Sequence, residues 1–303
     1  MIPSMITNIP YLGEILSLIT ALTWAFAVIM FKKSGEKVHP IALNLFKALL
    51  SSVLLIPTLW ILNGALTSPI NRADYLLLLL SGALGLGIAD TLFFMSLNKL
   101  GVGLIAIVDC FYILSIIGLS IIWLNERLTV LQAIGAILII SALLTAIQKK
   151  RRGAAIGRRD LLLGVLYGIL AMLIIAVSIV MIKPLLERSS LLWVSEIRLI
   201  GGLVVLLLIL LFLPTRRKVI SSIFSVQSWV YTFWGSFIGG YLSIILWLAG
   251  MKFTQASTAA ALNQTSIIFT FIFAALLLKE QINPQRFLGI ILAVLGSFLV
   301  MIG

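Results

Sequence analysis

Polar residues fall along this chain as punctuation between apolar stretches. Ten such stretches can be read, at approximately 11–31, 40–62, 74–97, 103–123, 128–147, 161–182, 191–213, 227–251, 256–278 and 285–302. A helix rises about 1.5 Å per residue, so roughly 20 apolar residues match the ~30 Å hydrocarbon core of a bilayer. Most stretches are too long for barrel strands and lack period-two alternation, so their backbone amides must be satisfied inside helices. The pattern predicts an all-α membrane protein with ten transmembrane helices. Links of only a few residues predict antiparallel neighbours in a compact bundle.

Composition agrees with the pattern. The 303 residues are 61% hydrophobic and 11% charged, against roughly 25% charged in an ordinary soluble domain, which excludes a water-soluble fold. The first ten residues hold no Lys or Arg, and the stretch after them lacks a short apolar core with a small-residue cleavage site. Residues 11–31 therefore read as a retained helix rather than a signal peptide. The single cysteine, Cys110, excludes an intrachain disulfide and reads as a small apolar filler. His39 stands among lysines as a solvated loop residue. No His-Glu-x-x-His run, phosphate-binding loop or Ser/His/Asp set is present, so no cofactor, metal or ATP hydrolysis is expected.

The net charge of +12 could suggest nucleic acid, but its placement argues otherwise. Of the 22 Lys and Arg residues, fifteen fall in the odd-numbered links between helices, including the cluster Lys149, Lys150, Arg151 and Arg152. Five lie in the even-numbered links (Arg72, Arg127, Lys183, Arg188, Lys252), and Lys47 and Arg198 lie inside apolar stretches. Basic links stay in the cytoplasm, which predicts both termini outside. The basic links then lie beside anionic lipid headgroups in the cell membrane, and no nucleic-acid partner is needed.

The chain also repeats itself. "WLNERLTVLQAIGAILII" at 123–140 has the same shape as "LLKEQINPQRFLGIILAV" at 277–294, with Glu126 and Glu280 separated by 154 positions. The same offset superposes Gly85 on Gly239, Ile113 on Ile267 and Gly135 on Gly289. An offset of 151 in the first two helices of each half superposes Lys32 on Lys183 and Lys47 on Arg198. The predicted unit is five helices used twice, residues 1–150 and 161–303, with a basic linker at 151–160. Because five is odd, the second copy enters the membrane from the opposite side. Inverted repeats of this kind are the scaffold of alternating-access carriers, whose site lies near the midplane between the halves.

The run "ALTWAFAVIMFKK", Pro40 and Lys47, and above all "NERLTVLQAIGAILIISALL" and "KEQINPQRFLGIILAVLGSFLV" resemble EamA-type members of the drug/metabolite transporter superfamily over nearly the whole chain. The most specific element is the Glu-containing turn before the last helix of each half. The resemblance implies a secondary transporter that moves a small organic metabolite, favouring amino-acid-like solutes and efflux. Three features depart from the family. Asn125 and Lys279 precede the two glutamates where the first-half turn often reads Gly-Glu-Arg-Leu, Lys47 stands where Arg is common, and many relatives place both termini in the cytoplasm.

Ionisable groups inside a membrane helix cost about 2.5–3.5 kcal/mol on insertion scales, so each demands a partner or a wet cavity. Counting from the helix ends puts Asp90 at ~16 Å, Asp109 at ~12 Å and Lys47 at ~10 Å from one membrane face. Two readings are open: a proton-coupling site of two acids and one base, or a structural Lys47–Asp109 ion pair with Asp90 toward a loop or water. In the second half Asp109 falls over Asn263 and Asp90 over Ile244. Asn263 and Gln264 could hydrogen-bond a solute or join helices. Glu196 and Arg198, two residues apart, must face different sides, and Arg198 could meet a solute carboxylate or a carbonyl.

Trp24, Tyr112, Tyr241 and Trp247 could line a cavity, whereas Trp60, Trp123 and Trp229 read as interface anchors. Glu126 and Glu280 stand at helix starts, where a carboxylate accepts from free amides. Gly82, Gly85, Gly87, Gly235, Gly239 and Gly240 would let helices pack closely or bend. A lipid or lipid-linked sugar flippase is a rival carrier reading. A channel, or an intramembrane enzyme using Asp90 and Asp109, belongs to a different class, and the flanking residues of known aspartyl motifs are absent.

Overall fold

The computed structural model describes residues 11–63, 71–124, 129–147, 157–224, 228–254, 259, 262–279 and 284–302, and every regular element among them is helical. In chain order the helices are α1 (Leu12–Gly35), α2 (Pro40–Asn63), α3 (Arg72–Leu100), α4 (Val102–Val108), α5 (Phe111–Leu124) and α6 (Val130–Ile147). They continue with α7 (Arg158–Val180), α8 (Lys183–Arg188), α9 (Leu191–Phe212), α10 (Arg216–Ile223), α11 (Trp229–Phe253), α12 (Ser266–Leu277) and α13 (Pro284–Ile302). Six of these (α1, α2, α3, α7, α9 and α11) are long and apolar enough to cross a membrane. Four shorter apolar stretches, Val102–Ile116, Val130–Ala142, Ser266–Leu277 and Phe287–Leu299, accompany them where the sequence predicted full-length crossings. The protein is an all-α membrane protein.

Local chemistry sets the helix boundaries. Pro40 and Pro284 open α2 and α13, where a missing N–H leaves no bond unmade. Gly101 takes a φ of 77°, which only glycine adopts freely, and this lets α3 turn directly into α4. Thr129 and Gln132 form a reciprocal cap at the start of α6: the Gln132 amide donates to Thr129 Oγ1 at 3.1 Å, and the Thr129 amide donates to Gln132 Oε1 at 3.2 Å. The cap on α6 is therefore Thr129. Glu126 and Glu280, read from sequence as residues of these turns, lie outside the described residues.

The two longest helices are interrupted alike. A π-helical segment occupies Ala83–Ala89 in α3, and another occupies Ser236–Leu242 in α11. A π turn adds a residue to the helical cycle, shifts the side chains that follow, and is frequent at functional sites. Around these segments the contacts are exchanged between elements. α1 packs against α11 as α7 packs against α3, and α2 meets the π segment of α11 as α9 meets that of α3, while α6 and α13 lie against each other.

Small residues permit the crossings. At α1–α11 a methyl group on Gly250 would come 2.5 Å from Ser17 Oγ, and at α7–α3 one on Gly168 would come 2.9 Å from Ser96 Oγ. The Ser and the Gly have changed sides between the two crossings. At α3–α9 the fit is tighter still, since a methyl on Gly201 would run into the Leu79 carbonyl and one on Gly82 into the Arg198 carbonyl. Gly201→Ala is accordingly expected to cost roughly 1–3 kcal/mol and to lower the melting temperature of purified protein by several degrees. Gly118→Ala, whose new methyl meets no atom of another helix within 4 Å among the described residues, should leave melting unchanged in the same fluorimetric scan.

Candidate functional site

A cavity of about 130 Å³ lies inside the bundle, lined from α1, α2, α3, α7, α9 and α11 and from two broken helical turns. The first break is at Asp109–Cys110, between α4 and α5, where the amides of Tyr112 and Ile113 bond three residues back, to the carbonyls of Asp109 and Cys110. The second is at Gln264–Thr265, where Ile267 and Ile268 bond back to Gln264 and Thr265 in the same way. Neither break contains Gly or Pro. Unwound or tightened backbone at membrane depth is tolerated where it lines a cavity, and both breaks line this one.

Trp24, Lys47, Asp90, Asp109, Tyr112, Arg198, Trp247, Asn263 and Gln264 all line this cavity. Tyr241 does not. The cavity face of α11 is formed by Gly239, Ser243, Ile244 and Trp247, and a residue two positions past Gly239 points elsewhere. The Tyr241 hydroxyl instead lies 2.7 Å from Thr58 Oγ1, and its ring stacks on Phe237.

The two intramembrane cations have different surroundings. Lys47 is buried and its ammonium forms a close ion pair with Asp90, with the Phe94 ring 5.3 Å away. The expected alternative, a Lys47–Asp109 pair, is overturned because α2 packs against the second half of α3, which presents Asp90. Asp109 has no ion pair among the described residues. Arg198 is 1% exposed, and among the described residues its Nε and Nη1 have no hydrogen-bond partner. Nη2 lies 3.5 Å from Ser178 Oγ, and the guanidinium carbon is 5.8 Å from the Trp247 ring.

Further polar atoms in the lining have no partner among the described residues: the Tyr112 hydroxyl, both side-chain heteroatoms of Asn263 and Oε1 of Gln264. Buried polar groups are ordinarily paired, so such a concentration in one cavity is the signature of a site for a polar ligand. Glu196 faces away from Arg198, as two-residue spacing requires, and accepts from Ser52 on α2.

Sequence reasoning missed Asn44. It is fully buried and its amide donates to the carbonyls of Leu86 (2.9 Å) and Gly87 (3.0 Å) and to Thr91 Oγ1 (3.0 Å). These bonds hold the π segment of α3, from which Gly85 and Leu86 reach the cavity, with Asp90 immediately after it. Ser195, the matching position at an offset of 151, instead bonds the Leu191 carbonyl of its own helix. The available signal was a lone Asn in an apolar stretch, three residues before Lys47. Outside the spans, partial desolvation lowers the His39 imidazole below its ordinary value.

Long apolar helices around an intramembrane cavity that carries unpartnered polar atoms describe a multi-pass membrane protein with a site for a small polar molecule. The chain belongs to the EamA-like transporter family, whose model matches residues 11–148 and again 162–302. It is 25% identical over 288 residues to an uncharacterized transporter of Archaeoglobus fulgidus, covering 95% of this chain and 97% of that protein. Over 130 residues it is 31% identical to the uncharacterized transporter YetK of Bacillus subtilis, covering 42% of this chain and 37% of that one. A solved crystal structure shares the fold with a TM-score of 0.68 at 16% identity, over 95% of each chain. Family membership and these relatives point to a transporter rather than an enzyme, with a small molecule as its solute.

Proposed function

We propose that this chain is a secondary transporter that exports a small, amino-acid-like organic solute by alternating access. The carrier consists of two inverted five-helix repeats, residues 1–150 and 161–303, joined by the basic linker 151–160. This architecture reads the six full-length apolar helices and the four shorter apolar stretches as ten crossings. The π segments of α3 and α11, the breaks at Asp109 and Gln264 and the exchanged contacts of α1 and α7 support the repeat. The basic links face the cytoplasm of the cell membrane, beside anionic headgroups, and the termini face outward.

The observation that carries this reading is the cavity itself. It draws lining residues from both halves and concentrates unpartnered polar atoms on Arg198, Tyr112, Asn263 and Gln264. An aliphatic or aromatic side group fits against Trp24, Trp247 and Ile175 while its polar end meets those atoms. Asp109, an acid without a counter-ion among the described residues, is the coupling group. The test is uptake of radiolabelled amino acids into proteoliposomes with and without a pH gradient, comparing the intact protein with Asp109→Asn. Saturable uptake that loses its gradient dependence in the variant is expected. Flux proportional to concentration far above carrier rates would replace the carrier with a channel, and gradient-independent flux in both proteins would remove the proton.

A further inference from the structure

Ile244 sets the charge selectivity of the cavity, we infer, by occupying the position at which the first half holds Asp90; Arg198 is thereby left with no ion pair among the described residues and can take an anionic group on the solute. The inference rests on the transport reading of the same cavity and names what that reading leaves open: the feature of the solute that the site requires.

Two pairs of positions match between the halves. Lys47 and Arg198 are 151 apart, and Asp90 and Ile244 are 154 apart, the offsets that relate the helices bearing them. The packing matches as well, since α2 lies on the second half of α3 and α9 lies on the second half of α11. In the first half this places Asp90 on Lys47 and closes an ion pair. In the second half the same arrangement offers Arg198 an isobutyl-sized apolar group. Ile244 lines the cavity, is 8% exposed, and precedes by three residues the Trp247 whose ring lies 5.8 Å from the guanidinium carbon. Residues three apart on a helix share a face, so a carboxylate at 244 would stand within reach of Arg198.

The physical consequence is selectivity. A guanidinium inside a membrane protein is unfavourable until an anion meets it, and its planar fork matches a carboxylate with two parallel bonds. A solute carrying such a group relieves the unpaired charge on arrival. A neutral or cationic analogue leaves Nε and Nη1 as they were. Ile244 also keeps the approach to Arg198 apolar, which strengthens the attraction for an anion that does enter.

The test uses purified full-length protein in proteoliposomes and a panel of L-amino acids, short monocarboxylates and the corresponding decarboxylated amines. Wild type, Ile244→Asp and Ile244→Asn are compared, because Asp and Asn differ in charge at equal size. Wild type is expected to carry carboxylates and not amines. Ile244→Asn, which changes the lining without adding charge, is the reference, and Ile244→Asp should have a KM about 30-fold or more above that of Ile244→Asn, the effect of giving Arg198 a resident partner. Equal losses in both variants, unchanged KM in Ile244→Asp, or amine flux matching carboxylate flux in wild type would each overturn the inference while leaving the carrier standing. If wild type carries no panel member, the transport reading falls and this inference falls with it. Should Ile244→Asp not yield monodisperse protein, competition in wild type decides: neutral amide analogues of a carried solute must compete about 30-fold more weakly, and equal competition refutes the requirement for an anion.

Discussion

Arg198→Ala is expected to lower kcat/KM for the proposed carboxylate uptake by about 100-fold or more and to leave the protein at least as stable as wild type. Both effects follow from one fact, that the guanidinium is 1% exposed and that Nε and Nη1 have no partner among the described residues. Removing a buried charge that makes no ion pair among the described residues relieves a desolvation cost, so melting stays level or rises. Removing the guanidinium from the lining would take away the proposed charge-assisted, two-point contact, for which about 2–5 kcal/mol is the scale. Arg198→Lys should recover part of the activity, since an ammonium keeps the charge and loses the fork. Loss of melting and uptake together in Arg198→Ala would instead make this residue a structural anchor. Uptake in proteoliposomes and thermal scans on the same preparations separate the two outcomes.

The equivalent cation in the first half should behave in the opposite way. Asp90→Asn leaves Lys47 buried and unpaired, and Lys47→Met does the same to Asp90, so each single change is expected to cost about 3–5 kcal/mol and to lower melting sharply. The double change Lys47→Met with Asp90→Leu removes both charges and should recover most of the loss. A double-mutant cycle in melting temperature checks this: the singles must be far from additive, because the groups touch. Additive, small effects would mean that water or a third group already compensates each charge.

Much of this site was legible in the sequence, for a reason visible in its residues. In a stretch such as 40–62 or 103–123 the background is apolar, so Lys47 and Asp109 stand out without any knowledge of the fold. The same contrast pointed to Asp90, Arg198, Asn263 and Gln264. Tyr241 was misassigned because an aromatic residue blends into a membrane helix and its direction depends on where the π segment of α11 ends. Asn44 was passed over although it stood out equally, because its role is to bond the carbonyls of Leu86 and Gly87, and no spacing rule reveals a π turn.

The pairing of charges was beyond the sequence as well. Depth counting placed Lys47, Asp90 and Asp109 at one level and left both acids as candidates for the lysine. Depth is a one-dimensional coordinate, fixed by about 1.5 Å per residue, while the choice of partner depends on which helices touch and on their rotation about their own axes. Packing of α2 on the second half of α3 decided for Asp90. The breaks at Asp109–Cys110 and Gln264–Thr265 were equally hidden, since neither carries the Gly or Pro that announces a break.

Hydrophobic length, loop charge and the repeat offsets thus determined from sequence alone that the chain is helical and membrane-embedded, and they pointed to a pseudo-symmetric fold. Those properties come from partitioning between lipid and water, which acts residue by residue along the chain. Only the tertiary structure decided that Lys47 is paired with Asp90, that Arg198 makes no ion pair among the described residues, and that the polar side chains of both halves surround one cavity. These depend on helix rotation and close contact across Gly82 and Gly201, which many apolar sequences of the same pattern would satisfy differently.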